Sequence, residues 1–216
     1  MINSIKIIVP TLNSYLILPK LIESLEKQTW KGWNLLFIDG KSNKMHKDWL
    51  RKICSNDLRF NFIEENDEFR GIFGAMNQGL NKIEDDEWVL FWGSDDWASS
   101  PTSLEYLVKR INNLSKKYDL IVCRGKYIKE NTNKIVRQSI FFNNKKSIIL
   151  NAKKYRNKLF LGYIPPHQST LFNKRIFDNF SIFSQDFQLA ADLDYFLRFS
   201  IMPNISILVL NNQLVN

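Results

Sequence analysis

Cysteine, histidine and long apolar runs are scarce in this chain of 216 residues. The two cysteines, Cys54 and Cys123, lie far apart and lack any metal-ligand spacing, which predicts two reduced, buried thiols in a cytosolic protein. With two histidines and no Cys-x-x-Cys pair, a zinc site is not expected. No apolar run approaches the roughly 20 residues that span a bilayer, and the first residues do not form a signal peptide.

Several common nucleotide-binding and hydrolase motifs are also absent. Gly40-Lys41-Ser42 is similar to the end of a Walker A loop, but Leu35 occupies the position of that motif's first glycine. No Gly-x-Gly-x-x-Gly follows the first predicted strand, which argues against a dinucleotide-binding oxidoreductase. The absence of a Gly-x-Ser-x-Gly elbow argues against a serine hydrolase of that type.

The chain does have an ordinary globular composition, with an excess of positive charge. It is 44% hydrophobic and has a formal net charge of +8. The length suits one large domain or two tightly fused halves. The charge suits a polyphosphate ligand, an anionic membrane surface or nucleic acid. The Lys-rich segment 143–158 is by default a solvated face, with a phosphate-facing loop or a membrane-contact patch as alternatives.

Strands and helices alternate through the first half of the chain. Mostly apolar runs predict strands at Ile5–Val9, Trp33–Ile38 and Phe60–Glu64, and a further buried strand begins at Trp88. Helical periodicity predicts helices at Leu18–Gln28, Lys47–Cys54 and Ile72–Ile83. This alternation predicts an α/β fold with a mostly parallel, Rossmann-like sheet flanked by helices.

After Asp96 the pattern becomes less regular. The predicted elements are a helix from Pro101 to about Asn113, a strand at Asp119–Cys123, a hairpin over 125–139 turning at 130–133, a rigid turn running into a strand over 164–172, a helix at Ala190–Phe199 and a strand at Ile205–Leu210. Since no repeat or linker is present, we predict one domain over 1–216, with halves at 1–98 and 99–216.

Two adjacent carboxylates, Asp95 and Asp96, follow the buried strand that begins at Trp88. The carboxyl end of such a strand is where ligands bind in an open α/β sheet. Two carboxylates this close repel each other unless a cation or a set of donors offsets the repulsion, and Mg2+ or Mn2+ is the simplest partner. The alternative is that the pair merely ends the strand and caps the next helix.

An ordered set of short motifs runs through the chain: Ile8-Val9-Pro10-Thr11-Leu12-Asn13, Gln28-Thr29-Trp30, Ile38-Asp39-Gly40-x-Ser42, Asp67-x-x-Arg70-Gly71-Ile72-Phe73-x-Ala75-Met76-Asn77-x-Gly79, Gly93-Ser94-Asp95-Asp96, His167-Gln168 and Ala191-Asp192-x-Asp194-x-x-x-Arg198. This set resembles the family 2 glycosyltransferases with a GT-A fold, in particular bacterial exopolysaccharide and lipopolysaccharide (colanic-acid type) transferases. Each motif is weak alone, but they occur in family order over nearly the whole chain.

The resemblance implies a role for each matched residue. Asp39 is expected to bind the nucleobase, Asp96 to hold Mn2+ or Mg2+, and Asp192 to act as the general base that deprotonates the acceptor hydroxyl. The other expected donor-binding residues are Pro10, Thr11, Asn13, Asp67, Arg70, Asn77 and Asp95. The expected acceptor or phosphate contacts are His167 and Gln168.

Structural alternatives and departures from the family pattern accompany these roles. Asp39 could simply form a turn, and Asp192 could cap its helix and pair with Arg198. Asn43 is taken to replace the last aspartate of Asp-Gly-x-Ser-x-Asp, and Gly74 an aspartate of Gly-Ile-Tyr-Asp-Ala-Met-Asn. Both positions are expected to border the nucleotide site, so they bear on the identity of the donor.

The resemblance implies an inverting, metal-dependent enzyme that moves a sugar from a nucleotide-sugar, expected to be a UDP-sugar, to a saccharide or lipid-linked acceptor in surface polysaccharide biosynthesis. Nucleic acid is not an expected partner, and peripheral contact with the cytoplasmic face of a membrane would use a basic face. Two alternatives stay open. A nucleotidyltransferase acting on sugar phosphates would release pyrophosphate, and a catalytically degenerate binding subunit would show no metal-dependent nucleotide binding.

Overall fold

The computed structural model describes residues 2–85, 87–114, 116–129, 132, 134–141, 146–179, 183–187 and 190–216. Its strands are β1 (Ile5–Thr11), β2 (Trp33–Asp39), β3 (Phe60–Glu64), β4 (Trp88–Phe91), β5 (Leu120–Ile128), β6 (Ile135–Ser139), β7 (Ile148–Asn151), β8 (Thr170–Asn173) and β9 (Ser206–Val215). Its α-helices are α1 (Leu18–Glu26), α2 (Lys44–Asn56), α3 (Gly71–Leu80), α4 (Ser103–Asn112), α5 (Ala152–Phe160), α6 (Arg175–Asn179) and α7 (Ala191–Ser200).

One continuous sheet runs through both halves of the chain, in the order β3-β2-β1-β4-β8-β5-β9-β7, with β6 added at β5. The strands β1 to β4 are mutually parallel, as the alternation of strands and helices predicts. Strand β8 is antiparallel to both β4 and β5, so its amino end lies at the same edge as their carboxyl ends. The parallel part and the mixed part of the sheet therefore share one functional edge.

Helices cover both faces of the sheet, and each face has its own apolar core. One core joins α1, α2 and α4 to the sheet through residues such as Leu21, Leu50 and Leu107. The other joins α3, α5, α6 and α7 to the opposite face and is rich in aromatic side chains. The apolar positions of α1 predicted from the helical period, Leu18, Leu21, Ile22 and Leu25, are all buried.

The predicted elements of residues 5–91 are confirmed, with shifts of a few residues at their ends. In the second half, the strand predicted at Asp119–Cys123 continues to Ile128 and pairs antiparallel with β6, which confirms the hairpin. Residues 130, 131 and 133 of its predicted turn lie outside the described residues.

The Lys-rich segment 143–158, taken by default as a solvated face, contains the strand β7 and most of the helix α5. The strand β7 pairs with β9, and α5 begins after Asn151, whose side chain accepts a hydrogen bond from Lys154 N. The helix α5 buries Ala152, Tyr155 and Leu159, while Lys153 and Lys154 are exposed. The frequent lysines obscure this apolar face in the sequence. Residues 143–145, at the start of the segment, lie outside the described residues.

Both cysteines are free, but only one of them is buried. Cys123 is buried in β5, whereas Cys54 on α2 is partly exposed, so the prediction of two buried thiols is wrong for Cys54. Burial raises the pKa of Cys123 to about 12 and that of Cys54 to about 11. Both thiols are therefore protonated and unreactive near neutral pH.

Candidate functional site

The carboxyl ends of β1, β2 and β4 meet at one edge of the sheet. Thr11 at the end of β1 is in register with Asp39 at the end of β2. Ile8 of β1 is in register with Phe91, the last residue of β4. Because the three strands are parallel, the loops that follow them surround one region, and this region contains most of the predicted donor site.

Asp39 is fully buried at this edge. Its Oδ2 accepts a hydrogen bond from Ser42 N at 3.2 Å, and its Oδ1 lies 3.5 Å from His46 Nε2 without a hydrogen-bond partner of its own. Burial lowers the pKa of His46, and the Asp39 charge opposes that shift. Sequence reasoning missed His46, because one histidine within a helix carries no motif.

A chain of hydrogen bonds connects His46, whose Nε2 lies 3.5 Å from Asp39 Oδ1, to the loop that bears the acid pair. His46 Nε2 lies 3.0 Å from Thr11 Oγ1, which lies 2.5 Å from Ser14 Oγ. Ser14 Oγ donates to Ser94 Oγ at 3.0 Å, and Ser94 Oγ donates to Pro10 O at 3.1 Å. Side-chain hydroxyls thus help to hold together the loops after β1, β2 and β4, together with backbone bonds such as that from Gly40 N to Thr11 O at 2.9 Å.

Asn13 joins the loop after β1 to the loop after β2. Its backbone N donates to Ser42 Oγ at 2.8 Å, and its Oδ1 accepts from Asn43 N at 2.9 Å. Asn13 has a left-handed backbone with φ of 51°, which asparagine tolerates better than most residues. Asn43 caps α2, accepting from His46 N at 3.0 Å. Counted from Asp39, the last aspartate of Asp-Gly-x-Ser-x-Asp falls at position 44. The residue that replaces this aspartate is therefore Lys44, and the assignment of the replacement to Asn43 is wrong.

Exposed charges form the outer rim of this region. Asp67 forms an ion pair with Lys41 at the surface, and this pair lowers the pKa of Asp67. The exposed Arg70 donates its backbone N to Gln185 Oε1 at 3.0 Å. Burial raises the pKa of Glu65, opposed by Lys41, and sequence reasoning missed Glu65 because it does not belong to a matched motif. Solvent screens charges this exposed, so Asp67 and Arg70 are free to exchange partners when a ligand arrives.

Asn77 is not available to a ligand, contrary to its predicted role in donor binding. Its side chain is fully buried, donates to Phe183 O at 2.8 Å and accepts from Phe183 N at 2.8 Å. Asn77 therefore holds the 183–187 segment against α3. Packing also explains why position 74 is a glycine, because a Cβ there would lie 2.6 Å from the backbone carbonyl carbon of Phe69. An aspartate at position 74 would force this backbone apart.

The side chains of the acid pair, Asp95 and Asp96, both lie next to Gly93. A Cβ on Gly93 would lie 2.8 Å from Asp95 Oδ1 and 3.3 Å from Asp96 Oδ2, so glycine leaves room between the two carboxylates. Gly93 N donates to Asp96 Oδ2 at 2.6 Å. Burial, together with the Asp95 charge, raises the pKa of Asp96 to about 7, opposed by that hydrogen bond. A cation at this position would stabilise both ionised carboxylates.

These carboxylates fit a hard divalent cation that a ligand helps to hold. Within the described part of the chain, no three His, Cys, Asp or Glu side chains cluster closely enough to hold a metal ion by themselves. Mg2+ and Mn2+ prefer oxygen ligands and commonly take them from substrate phosphates. The donor set at Asp95 and Asp96 is therefore suited to a cation that arrives with a diphosphate.

His167 lies inside an aromatic cluster and not on the surface, which corrects its predicted contact with acceptor or phosphates. Its ring stacks on Phe91 with centroids 5.2 Å apart and planes 9° apart, and only 8% of the residue is exposed. Burial lowers the pKa of His167 to about 4, opposed by the nearby Asp192 charge. Trp92 Nε1 donates to Gln168 O at 3.0 Å, which fixes the 167–169 turn against β4.

Asp192 lies in the first turn of α7, where the helix dipole favours a carboxylate. It is partly exposed, and its Oδ1 accepts from Leu193 N at 2.9 Å. Arg198 pairs with Asp194 at 2.9 Å, so the alternative in which Asp192 pairs with Arg198 is not what the described contacts show. The charge of Asp192 acts on His167, whose ring stacks on Phe91 at the end of β4.

A cleft of about 740 Å³ opens beside the acid pair. Asp95, Asp96 and Gln168 line it, together with the start of α1 and the β5–β6 hairpin. Asp39 and Asp192 are not among its lining residues. The cleft therefore borders the predicted site residues at two places, the acid pair and the 166–169 turn.

Comparisons with known proteins are consistent with this geometry. A family model described as Glycosyl transferase family 2 matches residues 6–180. The PGL/p-HBAD biosynthesis glycosyltransferase of Mycobacterium bovis is 34% identical over 90 residues, covering 42% of this chain and 34% of the relative. The chain thus spans about a third of the length of that curated relative.

Solved glycosyltransferases share the fold. The S. aureus TarS 1-349 structure superimposes with a TM-score of 0.75 at 20% identity, covering 98% of this chain and 59% of TarS 1-349. The TarS complex with UDP-GlcNAc gives a TM-score of 0.72 at 19% identity, over 98% and 57% of the two chains. The mannosyltransferase PcManGT from Pyrobaculum calidifontis, in complex with GDP-Man and Mn2+, gives 0.65 at 13% identity, over 99% and 56%. None of the helices in the described ranges combines the length and hydrophobicity that a membrane span requires.

Proposed function

Because the chain belongs to glycosyl transferase family 2, a GT-A glycosyltransferase family, we propose that it is an inverting, metal-dependent enzyme with a UDP-sugar donor. The observation that carries this proposal is the hydroxyl network that joins His46, 3.5 Å from Asp39, to the Asp95-Asp96 loop. A nucleoside diphosphate has a base at one end and a diphosphate at the other. A site for it needs a base-binding group and a cation-binding group held at a fixed separation, and the network supplies that link.

In this proposal Asp39 binds the nucleobase. Its orphaned Oδ1 is an acceptor that a base N–H would satisfy. Since Asp39 has no exposed surface, the side chains above it have to move before a base can contact it. The loop after β1 contains Leu12, which is 61% exposed and available to cover the base.

Asp96, helped by Asp95, would hold Mn2+ or Mg2+, which when bound would stabilise the charge on the departing nucleoside diphosphate. Asp192 would accept the proton of the acceptor hydroxyl as its oxygen attacks the anomeric carbon in line, so that the configuration inverts. Neutral His167, near Asp192, would not compete for that proton, because burial lowers its pKa to about 4.

The donor type and the pathway are supported by the relatives. The TarS complex contains UDP-GlcNAc and the PcManGT complex contains GDP-Man and Mn2+, so a UDP-sugar with Mn2+ is the first combination to test. The mycobacterial relative is named as a biosynthetic glycosyltransferase, for PGL/p-HBAD, which is consistent with a role in assembling a saccharide or a lipid-linked acceptor. A cytoplasmic location stays a prediction.

Peripheral contact with a membrane belongs to the same proposal. The helix α5 exposes Lys153 and Lys154 and ends at Phe160, which is 76% exposed. Basic and apolar side chains on one short element suit an anionic lipid surface. Co-sedimentation with anionic vesicles but not with neutral vesicles is expected, and Phe160→Ala should weaken it. Equal sedimentation with both kinds of vesicle would remove this part of the proposal.

The function is tested by nucleoside diphosphate release from a panel of nucleotide-sugars, comparing Asp192→Asn with Asp194→Asn. The two residues lie two positions apart on α7, and only Asp192 is assigned to proton transfer. Asp192→Asn should lower kcat by about 10²- to 10⁴-fold. Asp194→Asn, which breaks the pair with Arg198, should change it little. Release of pyrophosphate would identify a nucleotidyltransferase, and equal losses in both variants would refute the assignment of the base.

A further inference from the structure

The structure assigns a chemical class to the acceptor. We propose that the cleft beside Asp95 and Asp96 binds an acceptor with a negatively charged group, a phosphate or a carboxylate, near the hydroxyl that receives the sugar. This inference rests on the proposed function and deepens it. Asp39, Thr11 and Asn13 do not line the cleft, which adjoins the proposed donor site at the acid pair. The second substrate therefore enters from the cleft side.

Unbalanced positive charge is the first argument for an anionic acceptor. Beyond the acid pair, which is assigned to the cation, the charged side chains of the described residues that line the cleft are Lys20, Lys126, Lys129 and Glu23. Glu23 is already paired with Lys27 at 2.5 Å. The hairpin segment 120–139 contains five Lys or Arg residues and one acid, Glu130, which lies outside the described residues. The lysines thus create a positive potential that attracts an anion.

Two aromatic side chains give the cleft flat apolar surfaces between these charges. The ring of Trp97 lies beneath Lys20 Nζ, which is 3.3 Å from the ring centroid. Tyr127 is 50% exposed on the hairpin, with the Arg137 guanidinium 5.8 Å from its ring centroid. Rings with an exposed face can pack against a sugar, while the cations beside them bind a charged substituent.

A buried hydroxyl at the inner end of the cleft has no partner. Ser169 is 0% exposed, its Oγ makes no hydrogen bond to the described residues, and it belongs to the cleft lining. A Cβ on Gly125 would lie 2.8 Å from that Oγ, so the glycine keeps the space beside the hydroxyl open. An unsatisfied buried hydroxyl is costly, and a ligand oxygen that accepts from Ser169 would remove the cost.

The hairpin offers a matched pair of lysines for the test. Lys129 and Lys134 are both exposed and face each other across the turn, where Lys129 N donates to Lys134 O at 2.9 Å. Only Lys129 lines the cleft. Without donor and with divalent metal removed, glycerol 3-phosphate titrated by calorimetry should bind Lys129→Glu about tenfold more weakly than wild type. Lys134→Glu should bind it nearly as tightly as wild type.

Ser169→Ala separates ligand binding from folding. Because the hydroxyl has no protein partner, its removal should leave the melting temperature unchanged or raise it, while the affinity for glycerol 3-phosphate falls several-fold. Wild-type affinity in Ser169→Ala would overturn the role of this hydroxyl. Equal affinities in Lys129→Glu and Lys134→Glu, or equal binding of methyl glucoside and glycerol 3-phosphate by wild type, would overturn the proposal.

Two further arms identify the source of the charge and separate this proposal from the function. Tighter binding of farnesyl diphosphate in neutral micelles would indicate a lipid diphosphate, and tighter binding of glycerol 3-phosphate a phosphate on the glycan; both support an anionic acceptor. UDP with Mn2+ should bind Lys129→Glu as it binds wild type, and its loss there would assign Lys129 to the donor and overturn the proposal. Failure of wild type to bind UDP with Mn2+ would refute the proposed function but not the result with glycerol 3-phosphate.

Discussion

The residues at the ends of β1 and β2 are connected by polar hydrogen bonds, whereas those around His167 are connected by aromatic packing. On the first side, Asp39, His46 and Thr11 form a buried polar path that continues to Ser94. On the second side, the ring of Phe172 lies within 6.5 Å of six described aromatic rings, measured between centroids: Phe91, His167, Phe177, Tyr195, Phe196 and Phe199.

From this difference we infer that the polar side mainly positions functional groups and that the aromatic side mainly stabilises the fold. A hydrogen bond is directional but contributes only about 0.5–1.5 kcal/mol net, so the polar side fixes where groups lie. A buried aromatic ring is worth more and tolerates small rotations, so the aromatic side supplies stability. Substitutions on the polar side should therefore alter donor binding more than folding, and substitutions on the aromatic side should do the reverse.

Phe172→Ala should have the largest effect on stability. Phe172 is fully buried among the aromatic rings of β8, α6 and α7, so the cavity left behind should cost about 3–5 kcal/mol in the free energy of unfolding. Urea denaturation measures this cost, and Phe160→Ala, at a site that is 76% exposed, serves as the control. A loss below about 1 kcal/mol would show that this cluster is not what stabilises the second half.

Asn77→Ala should cause the next largest loss, about 2–3 kcal/mol in the free energy of unfolding, because it leaves the buried N–H and C=O of Phe183 without these partners. The folded fraction of Asn77→Ala should still bind UDP with Mn2+ at nearly wild-type affinity. Unchanged stability combined with lost nucleotide affinity would restore Asn77 to the donor site.

Thr11→Val should lower the free energy of unfolding by about 1–2 kcal/mol, less than Asn77→Ala, and should weaken donor binding several-fold. The change keeps the shape of the side chain but removes the hydroxyl that contacts His46 and Ser14. Thr29→Val, which removes a surface hydroxyl bound to Glu105, is the control. If Thr11→Val binds UDP like wild type, the hydroxyl network does not position the nucleotide.

The smallest net effect is expected in the pH dependence of stability, because one group on each side titrates with opposite sign. The pKa of Asp96 is raised from 3.8 to about 7, so its contribution to stability is lost as the pH rises from about 4 to 7. The pKa of His167 is lowered from 6.5 to about 4, so its contribution is lost as the pH falls from 6.5 to about 4. In metal-free wild type the two trends oppose each other.

Variants of the two groups should reveal the separate trends. In metal-free buffer, stability should rise with pH between 4 and 7 in Asp96→Asn, where the His167 contribution is left together with that of His46, whose pKa burial also lowers. It should fall over the same range in His167→Phe, which keeps an aromatic ring in the cluster. Denaturation curves at several pH values measure both slopes, and parallel slopes in the two variants would contradict the opposing signs.

The fold class and the elements of the first half could be predicted because parallel strands and their crossovers leave strong local patterns. The GT-A fold predicted from the ordered motifs is confirmed. The helix α5 could not be found, because its three buried positions are diluted by lysines, and α6 is too short to show a period. Local sequence signals are weakest where long-range pairing, such as that of β7 with β9, decides the structure.

The candidate site was predicted less evenly than the fold. The motifs located the edge of the sheet that carries Thr11, Asp39 and the acid pair, because strand ends are visible in the sequence. They did not reveal that Asn77 and His167 are buried, since a motif gives the type of a residue and not its solvent exposure. His46 and Ser169 required the structure, because tertiary packing alone places them beside the site.

Calorimetric titration of UDP, with and without Mn2+, into wild type and Asp96→Ala tests the central claim most directly. The claim is that a cation at the acid pair and a base-binding region at Asp39 bind one nucleoside diphosphate together. We expect UDP to bind wild type only when Mn2+ is present and not to bind Asp96→Ala under either condition. Metal-independent binding by wild type, or unchanged binding by Asp96→Ala, would contradict the account.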